Sequence, residues 1–266
     1  MRERIVLAYS GSLADSVAIR WLAEQHKSDV VTITLDLGAG FELQEVHERA
    51  LAIGAVRAHV LDTREEFAHD HILPALRAGA FGAGGHALAA LAHPLIAQKA
   101  LEIARFERAS AVAYGSASTS GGGIASALRA CDPAMRVVSA AGEWAMTAED
   151  VPEYARVHGI PVPAAPVKKA LNPSRDSADV EIAFERGVPV AINGVPMSLT
   201  ELIESLSIIA SEHGIASAAD FAGTPALVVL QAAYGHVEQA ARTTGLVRLR
   251  LASGIATPLE LATPHS

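Results

Sequence analysis

A short run of glycine and serine lies where a phosphate group could bind. Ser10-Gly11-Ser12 separates a continuous apolar run, Ile5–Tyr9, from a helical pattern that starts near Ser16. The backbone N–H groups of such a loop, together with the dipole of the following helix, attract an anion. Many α/β domains place small residues in this turn for steric reasons, so spacing alone leaves open both a phosphate cradle and an ordinary turn. The run is neither a Walker loop nor a dinucleotide fingerprint.

The elements that would position this loop alternate between strand and helix patterns. Apolar runs rich in β-branched residues predict buried strands, and apolar residues at a 3.6-residue period predict helices. This alternation predicts a parallel sheet with helices on both faces. The predicted strands are Ile5–Tyr9, Val30–Leu35, Ala58–Leu61, Ala111–Tyr114 and Arg136–Ser139, and the predicted helices are 16–23, Leu43–Ile53, Glu65–Arg77 and Leu88–Glu107.

Two segments without an apolar period divide the chain further. Gly115–Gly123 is rich in glycine and serine, which predicts a long flexible loop and no regular element. The proline-rich Ile160–Pro166 predicts a boundary between domains of residues 1–163 and 164–266. In the second half we predict a strand pair, 179–184 and 188–192, a tight turn at Asn193-Gly194, helices at 198–212 and 225–243, and a last strand at 246–251.

Composition excludes several classes of protein. The 266 residues are 50% hydrophobic and carry a net charge of −8, which argues against intrinsic disorder and against nucleic-acid binding. The single cysteine, Cys131, cannot form a disulfide within the chain and predicts a reducing compartment. No apolar stretch has the length of a signal peptide or a spanning helix. We therefore expect a cytoplasmic protein that does not associate with membranes.

Ordered motifs along the chain resemble those of the argininosuccinate synthase family. The segment 8–16 is similar to the family's Ala-Tyr-Ser-Gly-Gly-Leu-Asp-Thr-Ser, and the segments 35–40, 61–67, 154–163 and 184–194 resemble later family motifs. The resemblance implies an N-type ATP pyrophosphatase domain with a parallel sheet, followed by a smaller α+β synthetase-like domain. It also implies ATP and Mg²⁺ as ligands, with adenylation of the citrulline ureido oxygen and attack by the aspartate amine.

The resemblance also assigns candidate site residues. The implied nucleotide-binding positions are Ala8, Tyr9, Ser10, Gly11, Ser12, Asp15, Ser16, Leu35 and Gly115. The positions that match the family's amino-acid contacts are His86, Ala90, Ala117, Gly121, Gly122 and Ala125. No catalytic residue and no metal ligand can be assigned.

Departures from the family's motifs fall on these functional positions. In the first loop the family's second glycine is Ser12, its aspartate is Ala14 and its threonine is Asp15. A Cβ at Ser12 narrows the approach of a phosphate to the backbone. The carboxylate has moved about 100° around the helix, so we interpret Asp15 as an ordinary first-turn residue. The loop that begins at Gly115 carries no cation and no carboxylate, so it cannot recognise a zwitterionic amino acid as the family does.

Two hypotheses follow for the function. In the first, the chain is a non-catalytic or nucleotide-binding paralogue, which binds adenine nucleotide or associates with itself or with a related synthase. In the second, it is a repurposed, adenylate-forming ligase that acts on a different small amino-acid-like substrate. Authentic ligation of citrulline and aspartate is not expected in either case.

Overall fold

The computed structural model describes residues 2–38, 43–81, 86–115, 119–147, 149–161, 177–215, 224–239 and 243–262. The chain packs as two compact units. The first consists of Met1–Asp36, Phe41–Thr63 and Ala92–Val167, and the second of Leu37–Gly40, Arg64–Leu91 and Lys168–Ser266. Packing thus assigns residues 64–91 to the second unit, whereas the domains predicted from sequence are contiguous. The proline-rich boundary lies mostly outside the described residues.

The elements follow the predicted alternation. The strands are β1 (Arg4–Ala8), β2 (Asp29–Asp36), β3 (Arg57–Asp62), β4 (Ala111–Tyr114), β5 (Arg136–Ser139), β6 (Ala178–Glu185), β7 (Val188–Ile192), β8 (Val195–Pro196), β9 (Gly245–Ala252) and β10 (Ile255–Ala262). The helices are α1 (Leu13–Gln25), α2 (Leu43–Ile53), α3 (Arg64–Phe67), α4 (Leu73–Arg77), α5 (His86–Glu107), α6 (Thr119–Cys131), α7 (Ala140–Glu143), α8 (Asp150–Val157), α9 (Leu199–Glu212) and α10 (Thr224–Gln239). A π turn at Ala68–Ile72 joins α3 to α4.

The first unit is built on a parallel sheet of five strands in the order β3-β2-β1-β4-β5. The central strand β1 is buried through Ile5, Val6 and Leu7 because helices cover both of its faces. One hydrophobic cluster includes Ile5, Leu7 and residues of α1, and a second includes Val6 and residues of α5. The predicted α/β fold with a parallel sheet is therefore confirmed.

The glycine-rich segment after β4 is partly helical, so the predicted loop was wrong from Thr119 onward. Helix α6 begins at Thr119 and includes Gly121, Gly122 and Gly123. Each glycine costs a helix about 1 kcal/mol relative to alanine, which explains why the sequence favours a loop. The packing requires at least one of them, since a Cβ at Gly123 would lie 2.2 Å from Nδ1 of His93 in α5.

The second unit contains an antiparallel sheet of five strands in the order β10-β9-β6-β7-β8. The predicted strand pair and the tight turn are confirmed, with Asn193 at φ 50° and Gly194 at φ 77° between β7 and β8. Strand β10 was not predicted. It pairs with β9 through a turn at Ser253-Gly254, and a register shift between Pro258 and Glu260 interrupts its apolar alternation.

Helices α9 and α10 of the second unit pack against each other and against this sheet. In the described part of the chain, no helix is long and apolar enough to cross a membrane.

Candidate functional site

The loop after β1 leaves the sheet at a position where α/β proteins bind ligands. Strand β1 lies between β2 and β4. The chain continues from β1 to β2 and β3 on one side of the sheet, and it then crosses to β4 and β5 on the other side. Ligands of open parallel sheets bind outside the carboxyl ends of the strands at such a switch point. Ser10–Ser12 follows β1 and Gly115 follows β4, so both lie at this edge.

The backbone of the loop is held in a defined conformation. Gly11 has φ 81°, in the left-handed region that favours glycine. Arg49 of α2 donates from Nη1 to the carbonyl oxygen of Gly11 at 3.1 Å. A Cβ at Gly11 would lie 3.2 Å from Cγ2 of Val46 in the same helix. Helix α2 therefore supports the loop from one side.

Ser12 connects the loop to α1 as its N-cap. Its φ of −65° and ψ of 160° are extended, and its Oγ accepts the backbone N–H of Asp15 at 3.2 Å. A serine N-cap satisfies one of the N–H groups that a helix start leaves unpaired. The side chain that distinguishes this loop from the family's second glycine is thus engaged in starting the helix.

Asp15 lies in the first turn of α1, but its carboxyl is buried rather than solvated as an ordinary first-turn residue would be. The residue is 6% exposed. Its Oδ2 accepts the Ser10 backbone N–H at 2.9 Å and the Ser10 hydroxyl at 2.5 Å. The backbone N–H of Gly115 acts on this carboxyl to lower its pKa. Burial raises the pKa of Asp15 above its ordinary value, and the hydrogen bonds from Ser10, Ser12 and Gly115 oppose that rise.

Gly115 is the residue that makes room for this carboxyl. A Cβ at position 115 would lie 2.3 Å from Oδ1 of Asp15 and 2.8 Å from its Cα. Since no side chain fits at such distances, only glycine allows the end of β4 to approach the start of α1 this closely. The two loops are therefore joined through Asp15.

Tyr9 and Ser16 form a second buried pair beneath the loop. The two hydroxyl groups are 3.1 Å apart, and Ser16 is fully buried. Thr34 of β2 donates its hydroxyl to the Tyr9 carbonyl oxygen at 2.9 Å. Burial raises the pKa of the Tyr9 phenol, while its hydrogen bond to Ser16 and the Arg49 guanidinium lower it. The Ser16 hydroxyl is thus turned to the interior and does not face a ligand.

The structure brings the predicted nucleotide-binding residues to one edge of the first unit. Ala8 ends β1, Leu35 lies near the end of β2, and Gly115 directly follows β4. Arg49 belongs to the same group and was missed by the sequence analysis. Its only sequence signal is a basic residue on the helix that follows the second strand.

The positions that match the family's amino-acid contacts belong to both units, and each is described within its own unit. Ala125 belongs to α6 and is only 4% exposed, so it offers almost no surface to a ligand. Ala90 is exposed on α5. Gly121 and Gly122 are helical positions of α6. Ala117 and the side chain of His86 lie outside the described residues.

His93 is a titratable side chain of the first unit that packs against α6 at Gly123. It is 9% exposed, and burial lowers the pKa of its imidazole. The ring lies against Gly123. A neutral imidazole can still donate and accept one hydrogen bond, but it supplies no charge for an amino-acid carboxylate.

Comparison with known proteins identifies the family. Residues 4–161 match the Arginosuccinate synthase N-terminal HUP domain, and residues 164–222 match the Arginosuccinate synthase C-terminal domain. The chain belongs to the argininosuccinate synthase family. The loop after β1 lies within the residues that match the N-terminal HUP domain.

Curated relatives agree with this assignment. Argininosuccinate synthase of Streptococcus thermophilus is 35% identical over 251 residues, with 80% of this chain and 62% of the relative covered. That of a Geobacillus species is 39% identical over 249 residues, with the same coverage. The chain thus spans about 62% of the length of these argininosuccinate synthases.

Solved structures show more distant likeness. An NAD⁺ synthetase from Burkholderia pseudomallei is 19% identical with a TM-score of 0.40, covering 59% of this chain and 60% of its own. An NMN synthetase from Francisella tularensis is 13% identical with a TM-score of 0.41, covering 60% and 63% respectively.

Proposed function

We propose that this member of the argininosuccinate synthase family binds adenine nucleotide through the loop after β1 and does not ligate citrulline to aspartate. The observation that carries the binding half of the proposal is the loop itself. Gly11 is left-handed at φ 81°, Ser12 caps α1, and the loop lies at the carboxyl edge between two central strands. The N–H groups of Leu13 and Ala14, at the first helical positions, have no partner within the helix and can donate to an anion.

The absence of ligation is supported by the side chains that replace the family's polar contacts. Ala14 stands where the family has an aspartate, and Gly121, Gly122 and Ala125 stand where it has polar or charged residues. Adenylation of one amino acid, with loss of pyrophosphate, and attack by the amine of a second, with loss of AMP, need polar and charged groups that orient both substrates and stabilise the leaving groups. Alanine and glycine can provide neither charge nor side-chain hydrogen bonds.

Magnesium would have to arrive with the nucleotide. Among the residues that the structure describes, no group of three or more His, Cys, Asp or Glu side chains could hold a metal ion. Mg²⁺ is commonly bound by one or two carboxylates together with substrate phosphates. The residues therefore fit an ion that is carried by phosphates, and they do not fit a protein-only magnesium site.

Calorimetric titration with Mg-ATP tests the proposal. We expect heat of binding and a higher melting temperature at millimolar ATP. Gly11→Ala should weaken binding by about tenfold or more, because alanine strains the left-handed backbone and displaces donors that lie around Gly11. A neighbouring contact adds to the strain, since the new Cβ would lie 3.2 Å from Val46.

Gly159→Ala is the matched control. Gly159 has φ 64°, its added Cβ would meet nothing within 4 Å, and it follows α8 and is not part of the loop after β1. It should lower stability by a similar backbone strain and leave nucleotide binding unchanged. If neither heat nor thermal stabilisation is seen with wild-type protein, or if both glycine variants lose binding equally, the loop is not the nucleotide site.

The repurposed ligase is the second candidate, and it would reveal itself by release of AMP and pyrophosphate with an amino-acid or amide substrate. Association with a second copy or with a full-length synthase would fit the non-catalytic role. The proposal also includes a cytoplasmic location, since a chain with one exposed free cysteine suits a reducing compartment.

A further inference from the structure

We propose that the Asp15 carboxylate occupies the phosphate position of the loop and competes with a bound phosphate group, which makes Asp15 the residue that sets the loop's preference among adenine ligands. The wild-type loop then binds nucleoside phosphates more weakly than its backbone geometry alone would allow, whereas its affinity for adenosine does not depend on Asp15. This inference rests on the nucleotide-binding function proposed above.

The first argument concerns the donors that Asp15 uses. Its carboxyl accepts the Ser10 N–H and the Ser10 hydroxyl, and the backbone of Gly115 lies against it. Backbone N–H and hydroxyl groups at a strand–loop–helix junction are the groups that hold phosphate oxygens in nucleotide-binding loops. A donor that points at Asp15 is not free for a ligand, so a phosphate must displace the carboxyl or bind beside it.

The second argument concerns charge. In the described part of the chain no lysine, arginine or histidine forms an ion pair with Asp15, although buried carboxylates are usually paired. The charged and titratable groups that act on this part of the loop are Arg49 and Tyr9. Arg49 donates to the Gly11 carbonyl oxygen and acts on the Tyr9 phenol. Neutral dipoles therefore hold the carboxylate, as they would hold a phosphate.

The third argument is that the carboxyl fits a space built for it. Gly115 leaves Oδ1 of Asp15 a position that any Cβ would fill, since the two would lie 2.3 Å apart. A phosphate brought next to this enclosed carboxylate places two anions a few ångströms apart in a medium of low dielectric, where their repulsion is large. Removing the charge at position 15 should thus favour phosphate-bearing ligands selectively.

The test compares wild-type protein with Asp15→Asn, using Mg-ATP, Mg-ADP and adenosine in calorimetric titrations at neutral pH. We expect Asp15→Asn to bind Mg-ATP at least about tenfold more tightly and adenosine with the wild-type affinity. Asp150→Asn is the control, because it removes the same single charge from an exposed carboxylate at the start of α8. It should leave both affinities unchanged.

Each outcome separates this inference from the proposed function. Equal affinity of wild type and Asp15→Asn for Mg-ATP, or an equal gain for adenosine, overturns the role of Asp15 and leaves nucleotide binding intact. Binding of no ligand by either protein overturns both proposals. If Asp15→Asn does not fold, Asp15→Thr carries the same test with a smaller neutral side chain.

Discussion

Two aspartates at helix starts in the first unit use the same kind of hydrogen bonds with opposite results. Asp15 accepts the N–H and the hydroxyl of Ser10 at the start of α1. Asp150 accepts the N–H and the hydroxyl of Thr147 at the start of α8, both at 2.8 Å. Burial raises the pKa of Asp15, whereas the hydrogen bonds from Thr147 lower the pKa of the exposed Asp150.

The two carboxylates have the same kinds of hydrogen-bond donors, but they differ in their exposure to solvent. Asp150 keeps its solvent, so two hydrogen bonds stabilise its ionised form and help α8 to begin. Asp15 loses its solvent without gaining an ion pair, so the same bonds only partly offset the burial of its charge. In the described part of the chain no counter-ion offsets this burial, so the Asp15 carboxylate is a costly feature of the loop that we propose to bind nucleotide.

The largest effect is expected from closing the space that Gly115 leaves. Gly115→Ala would place a Cβ 2.3 Å from the Asp15 carboxyl and 2.8 Å from its Cα, so a side chain and a backbone must both move. We expect the free energy of unfolding to fall by about 3 kcal/mol, as for an overpacked interior.

Urea denaturation would measure that loss, with Gly235→Ala of α10 as the control. An added Cβ at Gly235 meets nothing within 4 Å. The control should therefore gain about 0.5 to 1 kcal/mol from its better helix propensity. A Gly115→Ala protein as stable as the wild type would mean that Asp15 does not occupy this space.

The next effect concerns pH and the two aspartates. Because the folded-state pKa of Asp15 is raised, its ionised form is disfavoured in the folded protein, and protonation relieves that at lower pH. We expect the roughly tenfold Mg-ATP affinity gap between Asp15→Asn and wild type to narrow as the pH is lowered from neutral through the acid range in which the protein stays folded. Both proteins are titrated at each pH, so that the effect of nucleotide protonation is the same for the two affinities. An affinity gap that is constant over this range would contradict the burial of the carboxylate charge.

A smaller effect is expected at Arg49, which supports the loop without contacting Asp15. Arg49→Met removes the donor to the Gly11 carbonyl oxygen, a bond of 3.1 Å. We expect a loss of about 1 kcal/mol in stability and a few-fold weaker binding of Mg-ATP. Arg20→Met is the control, since Arg20 pairs with Glu24 on the exposed face of α1. Thermal melting and titration that leave the two variants alike would exclude a role for Arg49 in the loop.

The smallest effect is expected at Asp150. Its folded-state pKa is lowered, so it contributes stability that is present above the unfolded pKa and is lost as pH falls through the folded pKa. Asp150→Asn should melt slightly earlier than wild type at pH 7, and the difference should disappear in acid. For Asp15→Asn, the melting temperature of the wild type should rise relative to that of the variant as the pH falls, because a raised pKa has the opposite effect on stability. Melting curves that move in the same direction for both variants would break the contrast between the two sites.

Local pattern was enough to predict most of the parallel sheet, because its strands are continuous apolar runs and Leu43–Ile53 repeats with the helical period. The features that local pattern could not predict depend on contacts between residues that are far apart in the sequence. Helix α6 accepts glycines because Gly123 packs on His93, thirty positions earlier in the chain. Asp15 is buried because Gly115 approaches it from another strand, and Arg49 reaches Gly11 from α2. The position of the loop was predictable from the sequence, whereas the burial of Asp15 and the hydrogen bond from Arg49 were not.

Nucleotide binding without turnover is the central claim, and a chromatographic assay tests it most directly. Purified protein would be incubated with Mg-ATP, citrulline and aspartate at comparable concentrations of protein and ATP, and AMP would be quantified over several hours. The Geobacillus argininosuccinate synthase serves as the positive control. The account predicts that ATP binds and remains intact while the control forms AMP. AMP accumulating to at least the amount of this protein would contradict the account.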